Sequence, residues 1–468
     1  MALAGIMLLA GVIRFWAIAS LPRGLNLDEA YNGIVILDLL NGRLPAILTA
    51  PWSAREPLIF YIQAFPVRLF GPTPGAMRIT TSGLSWLLVL SVYLLNRKVF
   101  GVRISLVAAL IMATTLWPVY HGRFATRPIL LPVFVSLAFH ASLAAWHRRH
   151  WRWWLLSGVA FGAVSYTYTS SLFIVPSLIA LVGMLAWFDR AGLHARKWGI
   201  LIALATMALI SLPMIIARIN HPSAGFARSA SVSVFYPGQN LRDSLKTIFI
   251  QTGLVLRMFF IKGDMEPGNN IPGRPVFDMF MAIPFIVGGW YYGVRPLLVR
   301  KINPVLLYFV IWTGIWLLPT WASKSPPQFL RANGIMLSLF IFPALGLLSI
   351  RQWLEIRSGR FLAHLLVSTM LGASTFITAR DYHNYLQSPV AFDAYSGHET
   401  VPIIATNKLT RSGWVGTNLV ALPAPGLERM LAADIDIGAL PLPYAYYLTP
   451  WFFDPYEIHS YDINTQSN

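Results

Sequence analysis

Long apolar runs alternate with short polar breaks along most of the chain. Runs of roughly 20 residues, each able to cross a hydrocarbon core of about 30 Å as a helix, fall at 1–21, 78–96, 103–119, 127–146, 152–168, 171–188, 199–217, 275–293, 303–321, 331–350 and 361–379. This pattern predicts an all-α polytopic membrane protein with about eleven transmembrane helices. Between the runs, 32–50 places Ile34, Leu37, Leu40 and Leu44 at helical spacing, 57–70 mixes aromatics with Gln63 and Arg68, and 241–262 is amphipathic. Such stretches predict helices lying in the membrane interface. Past residue 380 the pattern gives way to mixed polar, Pro-rich sequence with short apolar runs such as Val401–Ala405 and Leu419–Leu422. The expected organisation is a membrane module over 1–379, with outer loops at 22–77 and 218–274, and a small domain over 380–468 with a few strands. Residues 1–21 lack the basic start and small-residue cleavage site of a signal peptide, so they read as the first span. No internal repeat is visible.

Composition agrees. Of 468 residues, 56% are hydrophobic and 12% charged, about half the charged share of a soluble chain, and mean hydropathy is +0.58. The formal charge of +17 does not point to nucleic acid, because of where the basic residues lie. Five short loops each carry three of them: Arg97, Lys98 and Arg103; Arg148, Arg149 and Arg152; Arg190, Arg196 and Lys197; Arg295, Arg300 and Lys301; Arg351, Arg357 and Arg360. With eleven spans all five face one side, which is then cytoplasmic. The amino terminus is inside; the loop after the first span and the carboxyl tail are outside. The absence of cysteine removes thiol catalysis, cysteine metal sites and disulfides, and no pair of histidines has metal-binding helical spacing.

The informative charges are those beside the membrane on the outer side. Asp28 and Glu29 adjoin in Leu27-Asp28-Glu29-Ala30-Tyr31, and Arg55-Glu56-Pro57-Leu58 leads back toward the bilayer. Arg123 and Arg127 flank Phe124-Ala125-Thr126, and Lys324 and Arg331 lie in the loop before the tenth run. Short outer loops usually avoid Arg, so Arg55, Arg123, Arg127, Lys324 and Arg331 on that face suggest a converging anion site. Guanidinium forks match phosphate geometry, and a lipid phosphate at the membrane surface is the natural ligand. With a sugar linked to a polyprenyl phosphate, the chemistry needs arginines to stabilise the departing phosphate and a carboxylate base to deprotonate an acceptor hydroxyl. Asp28 is the first choice for that base and Glu29 the second. A single carboxylate acting by direct displacement would invert the anomeric centre.

These blocks, with Gly122-Arg123, Arg127-Pro128, Tyr166-Thr167-Tyr168-Thr169, the Gly263-Asp264 to Pro275 turn and Arg331-Ala332-Asn333, recur in this order in a known family. Over about residues 1–350 the chain resembles the membrane glycosyltransferases of the GT-C fold, specifically the dolichyl-phosphate-mannose protein mannosyltransferase and aminoarabinose transferase superfamily. The resemblance implies a polyprenyl-phosphate sugar donor, a protein, lipid or glycan acceptor, and an active site on the outer face of a prokaryotic plasma membrane. It further implies Asp28 as catalytic carboxylate and carrier-phosphate contacts from Arg55 and Arg331. One departure matters. Many relatives carry a second acid shortly after the arginine of the second outer loop, where this chain reads Arg127-Pro128-Ile129. A two-carboxylate site, and a divalent metal held by it, therefore has no support; no cofactor is called for.

Plainer explanations compete at each position. Asp28 and Glu29 are also good helix-capping residues, and Arg123 and Arg127 could be interfacial anchors, as could Lys324 and Arg331. Glu56 could contact substrate or only hold Arg55. Tyr166 and Tyr168 fit an aromatic belt as well as substrate contacts; Asp264 and Asn270 fit turn chemistry as well as a binding role. Arg14, inside the first span, has no evident partner. At the level of class, a transporter or lipid flippase competes, though it would place acids at mid-membrane in paired halves; a non-catalytic carrier-lipid-binding subunit is the third option.

Overall fold

In the computed structural model, residues 1–43, 55–220, 233–235 and 239–397 are described. Among them there is no strand; an isolated antiparallel bridge joins Ser233 and Ser323. The helices used below are α1 Ala2–Phe15, α2 Leu27–Leu40, α3 Leu58–Phe70, α4 Pro74–Thr114, α5 Leu116–Arg123, α6 Leu130–Arg148, α7 Trp151–Val164, α8 Ile174–Phe188, α9 Lys197–Asn220, α10 Leu241–Leu256, α11 Met279–Gly288, α12 Pro304–Trp321, α13 Ile341–Leu386 and α14 Pro389–Ala394. The all-helical membrane expectation is borne out. The segments Pro74–Thr114, Arg127–Arg148, Thr169–Phe188, Lys197–Asn220, Pro304–Trp321 and Asn333–Leu386 are each long and apolar enough to cross a membrane.

Two of these segments each take in two expected spans. Gly101 interrupts α4 at φ 79°, ψ 176°, and Gly359 interrupts α13 at φ 81°, ψ 162°. That region of backbone space is essentially closed to residues with a Cβ, and both breaks fall within the expected basic loops 97–103 and 351–360. Other expected spans end early for a local reason. The 152–168 run stops being helical at Val164, where Ser165, Tyr166 and Thr167 tighten to bonds with the carbonyls three residues back. The 1–21 run stops at Phe15, and its terminal carbonyls are taken by a side chain from another helix, described below.

α4 is central and packs against α1, α3, α5, α6 and α13. The main hydrophobic cluster extends from Met7 and Ala10 through Met112 and Trp117 to Trp312, Trp316 and Phe340. A second one, containing Ala30, Ile36, Ile59, Phe60, Met77, Ala125 and Leu130, seats α2 and α3 against α4. Each of the three stretches expected to be an interfacial helix contains a helix, α2, α3 and α10, but α2 begins at Leu27, five residues before the expected start. Residues 44–54, 221–232 and 236–238, parts of the expected outer loops, lie outside the described residues, as does 398–468, most of the expected outer domain.

Candidate active site

The acidic pair is positioned by a helix start. Asn26 accepts from Asp28 N at 2.9 Å, while its own N–H donates to Glu29 Oε2 at 3.2 Å. This reciprocal capping box puts both acids in the first turn of α2, at the positive end of the helix dipole. Successive side chains on a helix point about 100° apart, and the two carboxylates go separate ways. Glu29 is fully buried and meets Arg78 of α4 in a fork, Nε to Oε1 at 2.9 Å and Nη2 to Oε2 at 2.6 Å. It also accepts from Ala125 N at 2.9 Å, and Arg78 donates onward to Pro22 O and Gly24 O at 2.8 Å each. The pair thus ties the 22–24 turn, α2, α4 and the 124–126 segment together. Asp28 instead keeps 47% of its side chain exposed and pairs with Arg55 Nη2 at 2.6 Å.

Around Asp28 the remaining charges gather. Arg55 donates from Nη1 to Asn32 Oδ1 at 3.1 Å and to Asp28 O at 3.3 Å, and lies 4.4 Å over the Tyr31 ring. Burial pulls the Arg55 pKa down, and Asp28 is the main influence opposing that loss of charge. Glu56 turns into the protein. Its Oε1 accepts from Arg218 Nη2 at 3.0 Å and from Thr169 Oγ1 at 3.1 Å, while Oε2 stands 2.8 Å from Arg127 Nε. Arg127 lies 5.4 Å over the Tyr168 ring. Tyr168 is within electrostatic reach of Arg127, Arg331, Glu56 and Asp28, and Arg55 within that of Arg127. Arg331 is steered by Ser323 Oγ, which accepts from its Nη1 at 2.6 Å, and by Ser170 Oγ, which donates to its carbonyl at 3.3 Å. One locus therefore collects Asp28, Arg55, Glu56, Arg127, Tyr168, Arg218 and Arg331. Among the described residues four guanidiniums and two carboxylates gather here, and such an excess of positive charge favours an anionic ligand.

Other residues singled out from sequence lie elsewhere. Arg123 is buried and spends its donors on main-chain carbonyls: Nη1 on Arg14 O at 3.0 Å and Trp16 O at 2.7 Å, and Nη2 on Leu21 O at 2.9 Å. It closes the end of α1. Lys324 is exposed. Tyr166 donates to Ile210 O at 2.8 Å and pins the end of α7 to α9. Asp264 accepts from Glu266 N at 2.9 Å and Phe329 N at 2.8 Å, and Asn270 donates to Asp264 O at 3.1 Å and Arg274 O at 2.7 Å. These two hold the 263–274 turn in shape and fasten it to the segment before Arg331. Arg14 finds a partner in Ser85 Oγ at 2.8 Å and another in Ala113 O at 2.9 Å, joining α1 to α4. Among the described residues no three His, Asp or Glu side chains gather as metal ligands.

Sequence reasoning missed Arg218, Thr169 and Arg78. Arg218 sits in the last turn of a helix apolar enough to span, so it resembled an end anchor. Arg78 was counted as the first residue of a span. Asn26-x-x-Glu29 was a readable capping signal.

A family model described as Dolichyl-phosphate-mannose-protein mannosyltransferase matches residues 51–216. Several solved structures share the fold. The oligosaccharyltransferase AglB of Archaeoglobus fulgidus, in complex with an inhibitory peptide and a dolichol-phosphate, aligns at TM-score 0.57 and 15% identity over 92% of this chain. The chain spans only 59% of that protein's length. ArnT from Cupriavidus metallidurans, bound to undecaprenyl phosphate, aligns at TM-score 0.57 and 14% identity over 87% of this chain and 80% of its own. No curated protein sequence matches. The fold is GT-C, as the sequence resemblance implied.

Proposed function

We propose that this chain is a membrane glycosyltransferase that moves a sugar from a polyprenyl-phosphate carrier to an acceptor hydroxyl or other nucleophile on the extracytoplasmic face. The observation that carries this reading is the gathering of Asp28 and its neighbouring arginines from α2, the 55–57 turn, the start of α6 and the segment before α13. The family-model match and the GT-C fold, whose other members were solved with dolichol-phosphate and with undecaprenyl phosphate, supply the substrate class.

In this reading Asp28, ionised beside Arg55 and half-exposed, takes the proton of the acceptor. The acceptor oxygen bonds to the anomeric carbon as the bond from that carbon to the phosphate oxygen breaks. The electron pair leaves with the polyprenyl phosphate, and the configuration inverts. Arg55, Arg127 and Arg331 stabilise the charge that grows on the leaving phosphate, and Tyr168 lies under the Arg127 guanidinium. Glu29, with both oxygens committed to Arg78 and main-chain N–H groups, has the role of holding α2 rather than of moving a proton. Arg123, Lys324, Tyr166, Asp264 and Asn270 drop out of the set that touches substrate, because their partners are structural or their side chains lie at the surface.

The test is sugar transfer by purified protein in lipid nanodiscs supplied with polyprenyl-phosphate sugars and candidate acceptors. Wild type should transfer, and Asp28→Asn should lose about 10²-fold or more, the usual worth of a general base. Undiminished transfer by Asp28→Asn would overturn the assignment of the base. Movement of intact donor across the bilayer without transfer would favour a flippase instead.

A further inference from the structure

Glu56 is a buried acid without a role in that chemistry. Three donors from three separate segments converge on it: Arg127 from the turn before α6, Arg218 from the last turn of α9 and Thr169 from the turn before α8. Two guanidiniums and a hydroxyl around one carboxylate form the donor set that a phosphate monoanion or dianion would take. The contact is also incompletely made. Glu56 Oε2 and Arg127 Nε, both buried, are 2.8 Å apart yet neither has a hydrogen bond, because the N–H is not directed along the line between them. Arg127 and Tyr168 place this donor set next to Arg55, Asp28 and Arg331.

We propose that Glu56 and the carrier phosphate compete for the same three donors, so that Arg218 and Thr169 are ligands of the phosphate freed as the sugar departs and Glu56 is a built-in competitor that this phosphate displaces. The inference rests on the polyprenyl-phosphate reading above. Its physical content is that the carboxylate keeps Arg127 and Arg218 close together, which like charges alone would oppose, matches the donor's phosphodiester in oxygens and charge, and gives the donors up as the bond to the sugar breaks and the carrier becomes a phosphate monoester with a third free oxygen and more charge. As the spent carrier leaves, the carboxylate takes the three donors back and so limits how tightly the product is held. A merely structural Glu56 makes the opposite forecast: without its charge the two arginines spread and phosphate binds less well.

The experiment measures binding of undecaprenyl phosphate to wild type, Glu56→Gln and Arg218→Gln in nanodiscs, with the unfolding temperature of each variant recorded alongside. Gln keeps an acceptor for Arg218 and Thr169 and removes the competing charge. Competition predicts that Glu56→Gln binds about tenfold tighter and Arg218→Gln about tenfold weaker, each near 1.4 kcal/mol. Thr169→Val, a smaller perturbation of the same donor set, should also bind more weakly. If Glu56→Gln is too unstable to assay, unchanged binding in both Arg218→Gln and Thr169→Val overturns the proposal. Equal or weaker binding by a folded Glu56→Gln overturns it as well, while leaving the transferase reading intact. Failure of wild type to bind undecaprenyl phosphate at all overturns both.

Discussion

Replacing Glu29 with Gln should unfold this protein more readily without touching the reacting atoms, whereas replacing its neighbour Asp28 should abolish the chemistry at a smaller cost in stability. Four donors point at the Glu29 carboxylate: Arg78 Nε and Nη2, Ala125 N and Asn26 N. A Gln amide offers one oxygen and turns an NH2 toward the donors on its other side. The Arg78 guanidinium, as deeply buried as Glu29 itself, is left with its charge uncompensated. Removing one member of a buried pair costs about 3–5 kcal/mol, a large part of a total stability of roughly 5–15 kcal/mol. Asp28→Asn removes an acid that is 47% exposed but leaves Arg55, 7% exposed, without its charge partner, so its cost lies between the roughly 0–1 kcal/mol of a surface pair and the buried-pair value, below that of Glu29→Gln. Unfolding temperatures in nanodiscs, followed by tryptophan fluorescence, should therefore drop further for Glu29→Gln than for Asp28→Asn, while sugar transfer collapses in the second. A Glu29→Gln protein that melts with wild type but transfers no sugar would refute this division and move the catalytic role to Glu29.

Three further outcomes follow from buried contacts. Asp264→Asn sets an amide NH2 against one of the main-chain N–H groups of Glu266 and Phe329; it should cost about 1–3 kcal/mol, read as a lower unfolding temperature. Gly101→Ala has open space around the added carbon but a φ of +79°, so it should cost about 1–3 kcal/mol through backbone strain alone, whereas Gly5→Ala, also in open space and inside α1, should cost nothing. His121, buried between Asn333 Oδ1 at 2.9 Å and Asn269 O at 3.2 Å, has its pKa pushed by burial from 6.5 down to about 4. The unfolded chain takes up this proton first as pH falls, so the stability is fully present above about pH 6.5 and lost toward pH 4, by on the order of 3 kcal/mol. His121→Gln should flatten that slope between pH 6.5 and 4; identical slopes in the two proteins would refute it.

The helices were legible because a bilayer leaves little choice: about 20 apolar residues without charge form a helix or nothing. Basic triplets in the expected loops marked the breaks at Gly101 and Gly359 even though each pair of spans forms one nearly continuous helical segment. The first-loop acids and Arg55, Arg127, Tyr168 and Arg331 were readable as a candidate site because a charge beside a membrane is rare enough to stand out. Their pairing was not. Nothing in the spacing says that Glu56 reaches across to Arg127 and Arg218, residues 71 and 162 positions away in sequence, because that contact is decided by how α6, α8 and α9 pack. The missing acid after Arg127 illustrates the same limit. The chain has no carboxylate there in sequence, yet the fold brings one to Arg127 from the first loop.

The outer-side arginines were taken together from sequence because all of them break the same topological tendency, but they break it for two different reasons. Where a helix ends inside the protein, its last carbonyls have no water to turn to, and a guanidinium is the side chain that can satisfy several at once. Arg123 does this for α1, Arg14 does it between α1 and Ala113, and Arg78 does it for the 22–24 turn. These arginines make the irregular connections between the helices foldable. Arg55, Arg127 and Arg218 instead face carboxylates, which are exchangeable partners where a carbonyl is not. A ligand phosphate can replace a carboxylate by rotation of one side chain, but to replace a helix carbonyl it would have to unfold the helix end. Whether a guanidinium is bound to two or more main-chain carbonyls, as Arg78 is even while it pairs with Glu29, is thus what separates scaffold from site, rather than its side of the membrane. The same criterion makes Arg331, held by a serine hydroxyl and near Tyr168, belong with the second group. Arg331→Gln should accordingly weaken carrier binding, and Arg123→Gln should lower the unfolding temperature.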